Sequence, residues 1–214
     1  MIKEFINPMI NNQKSYLIIN NQECVLIDAS INIKEIINYL VTEKLQLKAV
    51  IITHGHWDHI IGLNTLISQY PQLTVYINQW DENFIYHHPH NKMLVDREQI
   101  SEVTKTNINL VPIIDSTTLK LIGYEFLCQH IPGHTPGSQY ILIKQLNAVF
   151  IGDTIFKDKI GYHGIPYCDD EYFKKSLIKL TKLDKEYQVY PGHWDSYTLK
   201  DVLQSNETLI KFIK

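Results

Sequence analysis

The segment THGHWDH, at positions 53–59, places three histidines and one aspartate within seven residues. Imidazole nitrogens and carboxylate oxygens are ligands that zinc, iron and manganese accept. In a tight turn that leads into a helix, neighbouring side chains point in different directions, and Gly55 lets the backbone bend there. One short segment could therefore provide ligands for two metal ions. The candidate ligands are His54, His56, Asp58 and His59.

Three more residues of the same types stand near the ends of later apolar runs. They are His134 in PGHTPGS, Asp153 in GDTIF and His193 in PGHWDS. Each follows a glycine, which is typical of a loop at a strand end rather than of a core position. A lone histidine of this kind is more often structural than catalytic. The same construction in four loops favours one shared metal site.

The elements that must position the first segment follow from the hydrophobic pattern around it. The apolar run Val50–Ile52 predicts a buried strand, and Ile60, Leu63 and Ile67 have the three-to-four spacing of a helix. The segment therefore lies in a strand-to-helix turn. In that position Asp58 would be near the positive end of the helix dipole, which would keep its carboxylate ionised.

Along the rest of the chain, strands and helices alternate in two zones. YLII and CVLI, flanking NNQE, predict a hairpin, and further strands are predicted at INLVPII, TTLKLI, YEFLCQHI, QYILI and AVFI. Helical spacing occurs over 33–41, where Asn32 and Glu35 are spaced like a capping box, and over 173–180 and 199–203. This order predicts an α/β (α+β) fold of packed sheets covered by helices, in a single domain spanning 1–214.

The composition is that of an ordinary globular protein, with 44% hydrophobic and 20% charged residues. The net charge of -3 and the scattered lysines give no reason to expect nucleic-acid binding. The first ten residues lack a signal-peptide pattern and no run reaches membrane-spanning length. We therefore expect a cytoplasmic protein that acts on a small molecule and does not bind a membrane. The sequence leaves its oligomeric state open.

The cysteines do not contribute to the predicted metal chemistry. Cys24, Cys128 and Cys168 are odd in number, far apart and without a CxxC pair. This pattern favours neither a disulfide framework nor a thiolate zinc site. The histidines and aspartates must therefore hold any metal.

The motifs THGHWDH, PGHTPGS, GDTIF and PGH, in this order and at these separations, resemble the metallo-β-lactamase superfamily. The resemblance runs from VLIDAS to YPGHW and so covers nearly the whole chain. It implies a four-layer αββα sandwich whose motif loops meet along one edge of the two sheets. It also implies two divalent metal ions, with zinc as the expected metal and iron or manganese as alternatives.

The family pattern implies a division of the ligands between two metals. The first metal would be held by His54, His56 and His134, the second by Asp58, His59 and His193, and Asp153 would bridge them. Asp28, at the end of VLID, resembles the aspartate with which the family orients a ligand. Capping of a turn is an equally good interpretation of Asp28.

Two neighbouring metals lower the pKa of water, and the resulting metal-bound hydroxide can attack a carbonyl while Asp58 orients it or accepts its proton. The aspartate at position 153 argues against the antibiotic-degrading branch. The chain is most similar to the hydroxyacylglutathione hydrolase, or glyoxalase II, branch, whose substrates are thioesters. The resemblance therefore implies an acyl thioesterase, of the short subgroup without a further helical domain after the last ligand.

The expected substrate-binding residues depart from the family pattern. Where the family usually has a basic residue, this chain has Tyr162 and His163, which can donate hydrogen bonds but carry no fixed charge. Glutathione as the thiol is therefore left open. Trp57 and Trp194, each beside a candidate ligand, could wall the cleft and exclude water.

The segment 80–105 has little sustained periodicity and predicts a short helix followed by a loop. It contains a second histidine string, HHPH, which comprises His87, His88 and His90. The string lacks a carboxylate partner, so we expect a solvated loop over the active site rather than a third metal site.

Four alternative functions stay open beside the thioesterase. They are a lactone or ester hydrolase, a mononuclear-iron oxidoreductase like the persulfide dioxygenases, an RNase Z-like phosphodiesterase, and a binding module without turnover. The complete set of seven ligands favours two metals and catalysis. The acidic, compact chain argues against RNA as a substrate.

Overall fold

The computed structural model of the chain describes residues 1–30, 32–86, 108–164 and 167–214. Within these residues, two six-stranded sheets are formed in chain order. The first sheet contains Ile2–Asn7 (β1), Gln13–Asn20 (β2), Glu23–Ile27 (β3), Gln46–Ile51 (β4), Thr74–Asn78 (β5) and Asn109–Ile113 (β6). The second contains Ser116–Leu121 (β7), Tyr124–His130 (β8), Gln139–Ile143 (β9), Ala148–Gly152 (β10), Gln188–Pro191 (β11) and Tyr197–Thr198 (β12).

Both sheets are mixed. In the first sheet, whose order is β1-β2-β3-β4-β5-β6, the strands from β1 to β3 pair antiparallel and those from β3 to β6 pair parallel. In the second sheet, whose order is β12-β11-β10-β9-β8-β7, only β10 and β11 pair parallel. Strands β4, β10 and β11 each end directly before a predicted ligand loop.

The helices connect the strands and cover the sheets. They are Ile33–Thr42 (α1), Trp57–Ile60 (α2), Leu63–Gln69 (α3), Glu82–Tyr86 (α4), Asp170–Leu180 (α5), Leu199–Ser205 (α6) and Glu207–Ile213 (α7). No helix in the described parts of the chain is long and apolar enough to cross a membrane.

The layers follow from the alternation of side chains along each strand. Ile18 and Ile51 of the first sheet pack in one cluster with Phe126 and Phe150 of the second, so this cluster fills the space between the sheets. The alternate residues of the first sheet, such as Leu17, pack instead against helices α1 and α3. The outer face of the second sheet packs against α5, α6 and α7 in the same way. The result is the four-layer αββα sandwich that the resemblance implies.

The predicted elements are largely confirmed. The hairpin around NNQE is β2 and β3, with Asn21 in the left-handed region at φ 55°, and QYILI and AVFI form the antiparallel pair β9 and β10. The three predicted helices are α1, α5 and α6. All three cysteines are free. Of the segment 80–105, the short helix α4 is confirmed, whereas His87, His88 and His90 lie outside the described residues.

Two local predictions are wrong. The single helix predicted from Ile60 to Ile67 is broken into α2 and α3, because the Gly62 N–H donates to the carbonyl of Ala29 and a side chain there would collide with backbone oxygens. The capping box is also not formed, since the Asn32 side chain makes no capping hydrogen bond among the described residues. An N-cap residue needs an extended backbone, whereas the backbone of Asn32, at φ -80° and ψ 21°, is close to helical.

Candidate metal centre

The seven candidate ligands lie together where β4, β8, β10 and β11 end. Three groups of their ligand atoms each fall within 4.8 Å of one another. The first group is His54, His56 and His134; the second is Asp58, His59 and His193; the third is His54, His59 and Asp153. The structure thus brings together residues that are up to about 140 positions apart in the chain, in the grouping that the family pattern implies.

The first group consists of imidazoles alone. Nδ1 of His56 is 3.2 Å from Nε2 of His54 and 2.9 Å from Nε2 of His134. Two ring nitrogens this close can share one proton, and a third nitrogen directed at the same point leaves a lone pair without a donor. A cation at this point would satisfy all three nitrogens.

The second group combines imidazoles with a carboxylate. Nε2 of His193 is 3.1 Å from Oδ2 of Asp58, and Nε2 of His59 is 3.8 Å from the same oxygen. The side chains of His59 and His193 are buried, and that of Asp58 is 12% exposed. This small opening makes Asp58 a ligand candidate that solvent or a substrate can also reach.

Asp153 lies between the two groups. Its Oδ1 is 3.5 Å from Nε2 of His59, and its Oδ2 is 3.4 Å from Nε2 of His193 and 3.9 Å from Nε2 of His134. Two buried atoms at this point, Nε2 of His59 and Oδ1 of Asp153, make no hydrogen bond to any described residue. Buried polar atoms are rarely left without a partner. The orphaned atoms and the mixed nitrogen and oxygen donors therefore fit two divalent cations joined by Asp153.

Most of the ligand rings are fixed by a hydrogen bond on the nitrogen that faces away from the cluster. Nδ1 of His59 is 2.8 Å from Oδ2 of Asp28, Nδ1 of His134 is 3.0 Å from the carbonyl of Tyr162, and Nδ1 of His193 is 3.1 Å from the carbonyl of Asn11. Such partners fix the tautomer and leave the opposite nitrogen for a metal. Asp28 therefore lies where an orienting role requires it.

Asp28 also holds the turn itself. Its carboxylate accepts hydrogen bonds from the backbone N–H and the hydroxyl of Thr53, at 2.7 and 2.8 Å. The same hydroxyl is 3.1 Å from Nδ1 of His54. Asp28 therefore contacts His59 of the second group directly and His54 of the first group through the hydroxyl of Thr53.

In the metal-free chain the two groups differ in protonation. Burial, together with the neighbouring imidazoles, lowers the pKa of His54 well below its usual range and that of His56 to about 3. Burial also lowers the pKa of His134. The first group is therefore neutral at pH 7 and ready to donate lone pairs.

The second group is charged. Burial opposes protonation of His59 and His193, but the carboxylates overcome it: Asp58 and Asp28 raise the pKa of His59, and Asp153 raises that of His193 to about 10. The same pairs lower the pKa of Asp58 and Asp153 against the effect of burial. A cation that binds here must displace protons.

The predicted ionised state of Asp58 agrees with its lowered pKa. Helix α2 has four residues, too few for a substantial dipole, and the histidine partners His59 and His193 keep the carboxylate charged.

Sequence reasoning missed Asp81, which follows β5 in a short 3-10 helix over Gln79–Asp81. Its buried carboxylate accepts hydrogen bonds from Gly55, Thr135 and Gly137 in two ligand-bearing turns. Burial raises the pKa of Asp81 to about 6, against the opposing effect of these bonds. Asp81 follows an apolar strand, as Asp28 and Asp153 do, and this position in the sequence could have marked it as a candidate site residue.

The four expected substrate-binding residues have different surroundings. The side chain of Tyr162 is 71% exposed, while its carbonyl accepts from His134. Nδ1 of His163 lies 3.2 Å from Oδ1 of Asp170, and the ring centroids of His163 and Phe212 are 4.8 Å apart.

The two tryptophans are both half-buried. Trp57 opens α2 between His56 and Asp58. Trp194 packs edge-on against Phe156 with ring centroids 4.6 Å apart, and Nζ of Lys159 lies 3.5 Å from its ring centroid. Trp194 is therefore held beside His193 by an aromatic and a cation–π contact.

Comparisons with known proteins agree with this geometry. The family model of the Metallo-beta-lactamase superfamily matches residues 10–193. A hydroxyacylglutathione hydrolase of Francisella tularensis subsp. holarctica is 29% identical over 189 residues, which cover 88% of this chain and 65% of that protein. A probable metallo-hydrolase of Streptococcus pyogenes serotype M6 is 27% identical over 193 residues, which cover 89% of this chain and 82% of the relative. The chain thus spans less than two thirds of the length of that hydroxyacylglutathione hydrolase.

Solved structures share the fold over nearly the whole chain. The BLEG-1 B3 metallo-beta-lactamase has a TM-score of 0.85 at 24% identity, covering 98% of this chain and 99% of that one. TTHA1623 in a di-iron-bound form has a TM-score of 0.81 at 25% identity, covering 96% and 98%. ETHE1 from Myxococcus xanthus has a TM-score of 0.76 at 20% identity, covering 100% and 88%. On its sandwich fold, its converging ligand loops and the match over residues 10–193, the chain belongs to the metallo-β-lactamase superfamily.

Proposed function

We propose that the protein is a dinuclear metal-dependent hydrolase of acyl thioesters, a single-domain cytoplasmic enzyme that acts on a small molecule. The observation that carries the proposal is the position of Asp153 between two complete ligand groups. A mononuclear enzyme would need only one of these groups. The buried second group of Asp58, His59 and His193 would provide the ligands of a second metal.

The residues of the chain would divide the work. A pair of divalent cations, when bound, supplies Lewis acidity that lowers the pKa of water and polarises a carbonyl group. Asp58, the partly open carboxylate, would orient the attacking water and accept its proton. Asp28 and the carbonyls of Tyr162 and Asn11 would hold the imidazoles in place while charge develops.

Two observations support a thioester substrate. The hydroxyacylglutathione hydrolase relative aligns with 88% of this chain, and the carboxylate of Asp153 lies between the two ligand groups, as the resemblance to that branch implies. The proposal specifies the acyl group of the substrate and leaves the thiol open. Position 162 carries a neutral phenol in place of the family's basic residue, so lactones and esters compete with glutathione thioesters as substrates.

Zinc is the metal that we propose, and iron is the alternative. The histidine and aspartate donors suit both metals. The di-iron form of TTHA1623, at 25% identity, favours testing iron with equal care. Iron at one site only, with oxygen consumption, would instead indicate the oxidoreductase alternative.

The test begins with metal content. The purified protein is stripped, reconstituted separately with Zn²⁺, Fe²⁺ and Mn²⁺, and its bound metal is measured per chain. Each form is then assayed with S-D-lactoylglutathione, a thioester without glutathione, a lactone, a carboxylic ester, a phosphodiester and a β-lactam. We expect two metals per chain and the highest kcat/KM for a thioester.

Asp58→Asn tests the proton acceptor. The amide keeps the shape of the carboxylate but accepts a proton poorly, so kcat should fall about 100- to 10,000-fold with metal still bound. The matched control is Asp195→Asn, the same chemical change at an exposed position close to the last ligand, His193. Unchanged activity in Asp58→Asn would remove Asp58 from the mechanism, and a preference for the phosphodiester would replace the thioesterase proposal.

A further inference from the structure

Asp81 is a fully buried carboxylate, outside all three ligand groups, that joins two turns of the metal centre. Its Oδ2 accepts from the backbone N–H of Gly55 at 2.8 Å and from the hydroxyl of Thr135 at 2.6 Å. Its Oδ1 accepts from the backbone N–H of Gly137 at 2.5 Å. Three donors thus converge on one carboxylate that carries no ligand atom itself.

The two turns belong to different sheets. Gly55 stands between His54 and His56 in the turn that follows β4 of the first sheet. Thr135 follows His134 in the turn between β8 and β9 of the second sheet. The all-histidine group is therefore assembled across the gap between the sheets, and Asp81 is hydrogen-bonded to both sides of it.

Gln139 also links the two turns, at a point farther from the candidate ligands. The backbone N–H of Gln139 donates to the carbonyl of Thr53 at 3.0 Å, and its side chain donates to the carbonyl of Ile52 at 2.7 Å. These bonds fix the strand end that precedes His54. The peptide between His54 and His56 is held by Asp81.

The glycines at the carboxylate have no room for a side chain. A Cβ on Gly137 would collide with the Cγ and backbone nitrogen of Asp81, and one on Gly55 would collide with the ring of Phe84. The backbones of both turns therefore lie so close to the segment that follows β5 that no Cβ atom fits between them. This close approach lets one short side chain reach both turns.

We propose that Asp81 is a positioning residue that holds the His54–His56 turn and the His134 turn at the separation needed for metal binding, before any metal arrives. The inference rests on the metal centre of the proposed function but not on its substrate. A preorganised group binds a cation without the cost of ordering two loops. Loss of a partner that orients metal ligands typically weakens binding about 10- to 100-fold.

The test measures Co²⁺ binding to the full chain, because the visible spectrum of Co²⁺ reports the arrangement of its ligands. Asp81→Asn keeps the side-chain shape but turns one acceptor into an NH₂ that faces a donor. We expect the wild type to bind two Co²⁺ ions. In the variant, one of them should bind about 10- to 100-fold more weakly and the visible spectrum should change.

The control is Asn78→Ala, which removes a different buried polar side chain, one that accepts a hydrogen bond from the N–H of Trp80 at the start of the same segment. It should lower thermal stability without changing the Co²⁺ spectrum or affinity. If Asp81→Asn does the same, Asp81 is merely structural and the inference is wrong.

Should Asp81→Asn fail to fold, Thr135 provides the second test. Thr135→Val removes one of the three donors, whereas Thr135→Ser keeps the hydroxyl. We expect weaker Co²⁺ binding in Thr135→Val and recovery in Thr135→Ser, and equal affinities would overturn the inference. Normal Co²⁺ binding without hydrolysis of any ester or thioester would refute the proposed function and leave the role of Asp81 intact.

Discussion

At the scale of single residues, burial lowers the imidazole pKa in both halves of the metal centre, and the neighbouring charges decide whether that effect prevails. At His56, burial and the neighbouring imidazole of His134 lower the pKa to about 3 although Asp58 and Asp153 raise it, so the ring stays neutral. At His193, whose Nε2 lies 3.1 Å from Oδ2 of Asp58 and 3.4 Å from Oδ2 of Asp153, the charge of the carboxylates overcomes burial and the imidazole is protonated in the metal-free chain. The composition of each group therefore decides its charge before a metal binds.

A pH-dependent contribution to stability is expected from Cys128, which is buried between the sheets. Burial raises the pKa of this thiol from about 9 to about 12. The unfolded chain therefore loses this proton first, so the contribution is complete below pH 9 and declines above it, by about 1.4 kcal/mol per pH unit and per thiol.

Urea unfolding between pH 8 and 11 checks this prediction. Cys128→Ala should be less stable at pH 8, because packing is lost, but its free energy of unfolding should fall less steeply above pH 9. Cys24, which has the same raised pKa of about 12, remains in both proteins as an internal reference. Parallel curves for the two proteins would contradict the assignment.

At the scale of elements, the ligands depend on turns that approach one another more closely than side chains permit. The turn after β11 is held by two backbone hydrogen bonds of Gly192, from its N–H to the carbonyl of Gly152 and from the N–H of Lys14 to its own carbonyl, both at 2.8 Å. The hydroxyl of Tyr16 also donates to the carbonyl of Pro191. These hydrogen bonds therefore fix the position of His193 relative to the end of β10.

Gly192→Ala should disrupt the metal centre. A Cβ at this position would collide with Oδ1 of Asp153 and with the ring of His59, so the bridging carboxylate must move. We expect fewer than two metals per chain after dialysis, together with loss of activity. The measurement is metal content by mass spectrometry of the acid-digested protein.

The matched control for this variant is Gly164→Ala. A Cβ at Gly164 meets nothing within 4 Å, although its φ of 73° makes alanine somewhat unfavourable. This variant should be slightly less stable but keep both metals. Full metal content in Gly192→Ala would show that the turn can yield and that the close approach is not required.

At the scale of the whole molecule, the metal centre connects the two halves of the sandwich. His54, His56, Asp58 and His59 follow the first sheet, whereas His134, Asp153 and His193 belong to loops of the second. Each metal group therefore draws ligands from both sheets. A ligand that binds only the folded state stabilises that state in proportion to its own binding free energy.

Chelation should consequently lower the unfolding temperature substantially. A metal present at 1,000 times its Kd contributes about 4 kcal/mol, which corresponds to about 8–16 °C for a chain of this size. Differential scanning calorimetry with and without EDTA measures the change, and EDTA saturated beforehand with Zn²⁺ is the control. An unfolding temperature that does not respond to EDTA would show that metal does not stabilise the sandwich.

The sequence by itself determined the identity of the candidate ligands and the order of the elements. Ligand chemistry depends on side-chain type, so His54, His56 and their partners could be chosen without coordinates. Strand and helix periodicity is likewise local, which is why the hairpin at Asn21 and helices α1, α5 and α6 could be predicted.

Only the tertiary structure decided features that depend on residues distant in the chain. The break at Gly62 depends on the carbonyl of Ala29, the charge of Asp58 on His193, and the role of Asp81 on two turns of different sheets. The contacts of Asp58 and Asp81 exist because the two sheets pack face to face, whereas the contact of Gly62 joins the segments that follow the neighbouring strands β3 and β4 of the first sheet. Periodicity along the chain carries no information about which groups that packing brings within hydrogen-bond distance.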